Sequence, residues 1–152
     1  MDPKRPSNDF LSDLETAYAE AVVGTVISPR VNSLSHAVIG AAIEVHRHLG
    51  PGFNESAYEA ALVIELNMRG ISTERQKPIS LEYKEQVIWT GQLDLLVESE
   101  LVVELKAVET ILPLHRAQAH SYLRATGLPL ALLLNFNVLR LREGIHRVIL
   151  KS

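Results

Sequence analysis

The chain is 152 residues long, contains 47% hydrophobic residues and no cysteine, and carries a formal net charge of −3. This composition fits one globular domain with a sizeable core, and it excludes a disordered chain, a disulfide scaffold and a zinc site built on thiolates. Because no apolar run approaches the roughly 20 residues that span a bilayer and the N-terminal segment does not fit a signal peptide, we expect a soluble, cytoplasmic protein with no membrane partner.

Two core helices are predicted in the first half of the chain. Residues 1–31 are expected to be an N-terminal extension with a short helix from about Leu11 to Val23, and the main domain is expected to cover residues 32–152. Apolar residues recur at helical spacing from Leu34 to Leu49. The second core helix is expected from about Asn54, a residue suited to the N-cap, to Met68.

The second half combines strands with one further helix. The helix is expected over residues 113–127, where Pro113 suits the first turn. The run at 130–134 is apolar throughout, which is typical of a central strand buried on both faces. The order of elements predicts an α/β fold in which a mixed β-sheet core is flanked by helices. Strands are predicted at 77–83, 86–90, 92–98, 101–107, 130–134, 139–142 and 145–150.

Two of these strands read as a hairpin with a polar turn at 98–100. Leu93, Leu95 and Val97 alternate with polar or smaller residues, so we expect these three side chains to share one sheet face. With a three-residue turn, Leu95 lies opposite Val103. The same register places Asp94 opposite Glu104.

Charged side chains occupy the other face of this hairpin. Glu104 and Lys106 are two residues apart and therefore point to the same side as Asp94. Two carboxylates directly opposite each other repel, and a divalent cation between them would remove the conflict. This arrangement is typical of metal-assisted phosphodiester hydrolysis. The alternative is that the three charges are solvated and Glu104 forms a surface pair with Lys106 that contributes little.

Polar residues on two helices are further candidates. Glu55 shares a helix face with Tyr58, which is unusual for a carboxylate unless a positive group lies nearby. Glu55 could equally be stabilised by the helix dipole in the first turn. Gln118 and Tyr122 are one turn apart on the third helix, where Gln118 could position a water or a phosphate oxygen. An ordinary amphipathic helix with a half-buried tyrosine is the alternative.

Taken together, these residues resemble the GxxExxY family of small proteins, a branch of the PD-(D/E)xK nuclease superfamily. The resemblance extends from about residue 34 to residue 150, although Leu93 stands where the superfamily name has proline. The segments that carry it are Ala41-Ala-Ile-Glu-Val-His46, Leu49-Gly-Pro-Gly-Phe-Asn-Glu55-Ser-Ala-Tyr58, Asp94-Leu-Leu-Val, Val103-Glu104-Leu-Lys106-Ala-Val, Gln118-Ala-His-Ser-Tyr122-Leu and Leu133-Leu-Asn135-Phe-Asn.

The resemblance implies a restriction-endonuclease-like fold and a set of catalytic residues. In the superfamily pattern two carboxylates and a lysine form the catalytic triplet, a glutamate joins from the second core helix, and the Gln-x3-Tyr pair is similar to a motif of RecB-type nucleases. The implied catalytic residues are Glu55, Asp94, Glu104, Lys106, Gln118 and Tyr122. The implied ligands of a Mg²⁺ or Mn²⁺ ion are Asp94, Glu104, the backbone carbonyl of Leu105, and Glu55.

The expected function is that of a metal-dependent nuclease that hydrolyses phosphodiester bonds, in DNA rather than RNA. The alternative is a noncatalytic nucleic-acid-binding or interaction module that retains the nuclease fold, because a fold alone does not establish an activity. With 5% aromatic residues and a net negative charge, the chain shows no obvious surface for gripping a nucleic acid. A homodimer or a partner protein could supply that surface.

Overall fold

The computed structural model describes residues 27–151. The helix expected from Leu11 to Val23 lies outside the described residues. Within residues 27–151 the elements are α1 (Pro29–Leu49), α2 (Glu55–Met68), β1 (Thr73–Tyr83), β2 (Gln86–Val97), β3 (Leu101–Lys106), α3 (Pro113–Thr126), β4 (Leu130–Asn135), a 3-10 helix (Leu141–Gly144) and β5 (Ile145–Ile149).

Local capping residues set the starts of the helices. The side chain of Ser28 accepts a hydrogen bond from the N–H of Val31, so α1 begins at Pro29, five residues before the expected Leu34. Asn54 caps α2 as expected, because its side chain accepts a hydrogen bond from the N–H of Ala57. These caps fix the residues at which α1 and α2 begin.

The five strands form one mixed sheet in the order β1-β2-β3-β4-β5. The pairing of β3 with β4 is parallel, with α3 as the crossover, and the other three pairings are antiparallel. β4 is buried along its whole length, as its apolar run predicted. The expected α/β fold with a mixed sheet flanked by helices is therefore confirmed.

Two apolar clusters hold the helices to the sheet. The cluster that includes α1 and α2 contains Val38, Leu62 and Leu105, and the cluster that includes α3 contains Val102 and Leu123. Each of these five side chains is 0–1% exposed. Because burial of one such side chain stabilises the fold by about 1.5–3 kcal/mol, both sheet faces contribute to the rigid support of β3.

Three expectations for the strands were wrong in detail. The strands expected at 86–90 and 92–98 are one continuous strand, β2. The outer strand expected at 139–142 is not formed, because residues 141–144 form a 3-10 helix. Leu93 does not share a face with Leu95, since Leu93 packs in the α3 cluster and Leu95 in the α1–α2 cluster.

The change of face at Leu93 lies opposite an irregular residue in β1. Backbone pairing of β1 with β2 joins Arg75 to Leu95 and Lys77 to Leu93 but omits Gln76, which has a φ of 49°. A residue in this left-handed region interrupts the regular pleat of β1 at the point that lies opposite the change of face on β2. The interruption lies directly beside Asp94.

Candidate active site

Asp94 and Glu104 are held together by reciprocal hydrogen bonds. The regular pairing of β2 with β3 includes Leu95 with Val103, as the sequence predicted, and Asp94 and Glu104 are the next residues along. The N–H of Asp94 donates to Oε1 of Glu104 at 3.1 Å, and the N–H of Leu105 donates to Oδ2 of Asp94 at 2.9 Å. At this position the two strands are therefore joined by hydrogen bonds from backbone N–H groups to side-chain carboxyls. In regular pairing the acceptors would be backbone carbonyls.

The surroundings of this carboxyl pair strongly favour protonation of Glu104. Its side chain is 5% exposed, and burial raises the pKa of Glu104 to about 9. The negative charge of Asp94 adds to the increase, whereas the positive charge of Lys106 opposes it. Without a cation, this pair therefore holds a proton at neutral pH.

Lys106 is connected to α3 through two hydrogen bonds in series. Nζ of Lys106 donates to Oε1 of Gln118 at 3.5 Å, and Nε2 of Gln118 donates to the hydroxyl of Tyr122 at 2.9 Å. Burial raises the pKa of Tyr122, and the charges of Glu104 and Asp94 raise it further. The structure thus brings Gln118 and Tyr122 to the side of the sheet on which Glu104 and Lys106 lie.

Glu55 approaches Asp94 from the opposite flank. Both side chains line a cavity of about 230 Å³ between the N-terminal turn of α2 and the sheet. Glu55 is exposed and lies in the first helical turn, where the helix dipole favours a carboxylate. The remaining residues of the cavity wall are Ser56, Glu59, Gln76 and Leu105.

The sequence did not predict a role for Glu59, Arg75 or Gln76 in this region. Glu59 is 7% exposed, and its carboxylate accepts hydrogen bonds from Arg75 at 3.0 Å and from the side chain of Gln76 at 2.8 Å. Glu59 follows Glu55 by one helical turn, and this spacing was the only signal of it in the sequence. The three residues tie the irregular part of β1 to α2 and so shape the cavity wall beside Asp94.

Asn135 fixes the loop that follows Lys106. Its side-chain amide donates to the carbonyl of Val108 and its side-chain oxygen accepts from the N–H of Val108, at 2.9 Å and 3.1 Å. A Cβ atom on Gly144 would lie 2.0 Å from the backbone oxygen of Asn135, so only glycine fits beneath this residue. The loop and the end of β3 are therefore held in one position.

A family model described as the PD-(D/E)XK nuclease superfamily matches residues 32–148. The chain belongs to this superfamily. Comparisons with curated proteins and with solved structures gave no significant match. The match is to the superfamily, and the narrower GxxExxY family remains a prediction.

The superfamily acts on nucleic acids and generally depends on a divalent metal ion. Within residues 27–151 no three His, Cys, Asp or Glu side chains lie close enough together to hold an ion. Glu55 therefore does not complete a three-carboxylate set with Asp94 and Glu104 in this conformation.

No helix in the described part of the chain is both long and apolar enough to cross a membrane.

The ligand types that the superfamily pattern implies suit a hard divalent cation. The carboxyl oxygens of Asp94 and Glu104, which the structure brings together, and the backbone carbonyl of Leu105 are all oxygen ligands. The charged form of the buried Glu104 carboxyl, whose pKa is raised, would be stabilised by a cation beside it. The chemistry of the pair therefore fits the metal that the superfamily uses.

Proposed function

We propose that this protein is a Mg²⁺- or Mn²⁺-dependent nuclease that hydrolyses phosphodiester bonds in DNA. The observation that carries the proposal is the reciprocal hydrogen bonding between half-buried Asp94 and buried Glu104, with Lys106 two residues beyond Glu104 on β3. A surface that only binds phosphates would gain nothing from two adjacent carboxyls, because negative charge there repels the phosphate. A cation held by both carboxyls would remove that repulsion and could assist hydrolysis.

Asp94, Glu104 and the carbonyl of Leu105 would hold the cation. When bound, the cation supplies positive charge to the phosphate oxygens and acidifies nearby water. Lys106 orients the attacking water and offsets the negative charge that develops on the phosphoryl group. Hydrolysis by an external water needs no ribose 2′-hydroxyl, so DNA is a competent substrate for this arrangement.

Gln118 and Tyr122 position Lys106, and Glu55 faces the same site from α2. Because Gln118 accepts a hydrogen bond from Lys106 and donates one to Tyr122, the ammonium group is linked to α3. Glu55 lies across the cavity from Asp94 and could hold a water or a second ion there.

The test is a cleavage assay with purified protein. Single- and double-stranded DNA and RNA of the same sequence are incubated with Mg²⁺, Mn²⁺ or EDTA. We expect cleavage of DNA with either metal, weaker or no cleavage of RNA, and none with EDTA. Binding of nucleic acid without cleavage under every condition would overturn the nuclease proposal and favour the noncatalytic binding module.

A further inference from the structure

The β1–β2 hairpin extends well beyond the rest of the sheet. β3 pairs with β2 only from Val97 to Leu95, whereas β1 and β2 continue to pair as far as Tyr83 and Gln86. This projecting ribbon carries a group of exposed apolar side chains. They are Leu81, Tyr83, Val87, Ile88 and Trp89, which are 38–60% exposed.

Trp89 connects this ribbon to the candidate active site. Its indole stacks on the ring of Tyr122, with ring centroids 5.8 Å apart and an angle of 24° between the planes. Tyr122 is 9% exposed beneath it, while Trp89 keeps 39% of its surface exposed. Through Tyr122 and Gln118, only two side chains separate the indole from the ammonium group of Lys106.

Gly91 leaves the space that the indole occupies. A Cβ atom at this position would lie 2.4 Å from two ring carbons of Trp89. Gly91 lies within β2, where glycine weakens a strand, and its φ is not in the left-handed region that would require glycine. The glycine is therefore needed for the position of the indole and not for the backbone conformation.

We propose that Trp89 is a stacking platform for a nucleobase of a single-stranded nucleic acid whose backbone reaches the Asp94–Glu104 pair. The inference rests on the proposed nuclease function for the identity of the ligand. Exposed aromatic rings beside a phosphate site bind single strands because each base offers a flat face for stacking. The single strand is favoured because the bases of an intact duplex already stack on each other.

The chain contains one tryptophan, so intrinsic indole fluorescence reports on Trp89 alone. The probe is a dye-free single-stranded oligothymidylate, and the Lys106→Ala variant with Mg²⁺ is used so that the strand is retained and not cleaved. We expect saturable quenching of the emission. An abasic strand of the same length should bind more weakly and quench little, since it offers phosphates without bases.

Binding measured by fluorescence anisotropy of a labelled strand supplies the second readout. In the Lys106→Ala background, Trp89→Ala should weaken binding of the oligothymidylate about 5- to 100-fold and leave binding of the abasic strand unchanged. Trp89→Phe, which keeps a ring over Tyr122, should give an intermediate affinity. Gly91→Ala should weaken binding although the indole is present, because the added methyl group displaces it. Tyr83→Ala removes an exposed ring at the end of the ribbon and serves as the matched control.

The outcomes that overturn the platform differ from those that overturn the nuclease. If the emission is unchanged while anisotropy shows a bound strand, no base stacks on Trp89. The same follows if Trp89→Ala binds the oligothymidylate as tightly as the Lys106→Ala background does. Protein self-association that is lost in Trp89→Ala would show that the ribbon is an interface between copies of this chain. A wild type that cleaves DNA while Trp89→Ala binds normally refutes only the platform, whereas a quenched but inactive wild type refutes only the nuclease. Failure of the Lys106→Ala variant to bind any strand, together with an inactive wild type, refutes both.

Discussion

The carboxyl of Glu104 makes the stability of the metal-free protein fall as the pH rises. Its pKa is raised from 4.5 to about 9, first because burial disfavours the charged form and second because Asp94 is charged. In the unfolded chain the carboxyl is exposed and loses its proton near the ordinary value. Between these two values the folded protein binds one proton more than the unfolded chain. The free energy of unfolding is therefore highest below the ordinary pKa and decreases up to about pH 9.

The slope for one proton is about 1.4 kcal/mol per pH unit. From about pH 5 to about pH 8 the wild type should lose up to roughly 4 kcal/mol relative to Glu104→Gln, which cannot ionise but still accepts a hydrogen bond. Urea unfolding of both proteins in EDTA measures this difference, because the titration of all other groups is common to both. If the free energy of unfolding of the two proteins depended on pH in the same way, the argument that buried Glu104 keeps its proton at neutral pH would be refuted.

Three further predictions concern metal binding by Asp94, the hydrogen bond between Gln118 and Lys106, and the backbone conformation of Glu85. Mn²⁺ or Mg²⁺ should raise the melting temperature of the wild type and do so much less for Asp94→Asn, and equal shifts would place the ion elsewhere. Gln118→Ala should lower the cleavage rate about 10- to 100-fold without lowering the melting temperature, because Gln118 is exposed and holds Lys106; an unchanged rate would show that Lys106 needs no partner. Glu85→Gly should raise the free energy of unfolding by about 1 kcal/mol, because Glu85 has a φ of 66° at the end of the ribbon; urea unfolding that shows a lower stability would contradict this.

Elements with strong local signals could be predicted from the sequence. Asn54 marked the start of α2, and Pro113 with Gly127 marked both ends of α3. The register of β2 with β3 followed from the position of the turn at 98–100, because a one-residue slip would exchange the two faces of each strand. The contact between Asp94 and Glu104 is a direct result of that register.

Features that depend on distant contacts could not be predicted in the same way. The alternation of residues 139–142 resembles a strand, but four residues are too few to distinguish a strand from the 3-10 helix at 141–144. The bonds of Glu59 with Arg75 and Gln76 join residues 16 and 17 positions apart on different elements. The stacking of Trp89 on Tyr122 likewise joins residues from β2 and α3.

Single-turnover DNA cleavage by the Glu104→Ala and Lys106→Ala variants tests the central claim most directly. Glu82→Ala and Lys151→Ala, which remove the same kinds of side chain at exposed positions, serve as matched controls. We predict metal-dependent cleavage by the wild type and both controls, and none by either site variant, with every protein folded by circular dichroism. Cleavage by both site variants at the wild-type rate would contradict the assignment of the active site to the carboxyl pair and Lys106.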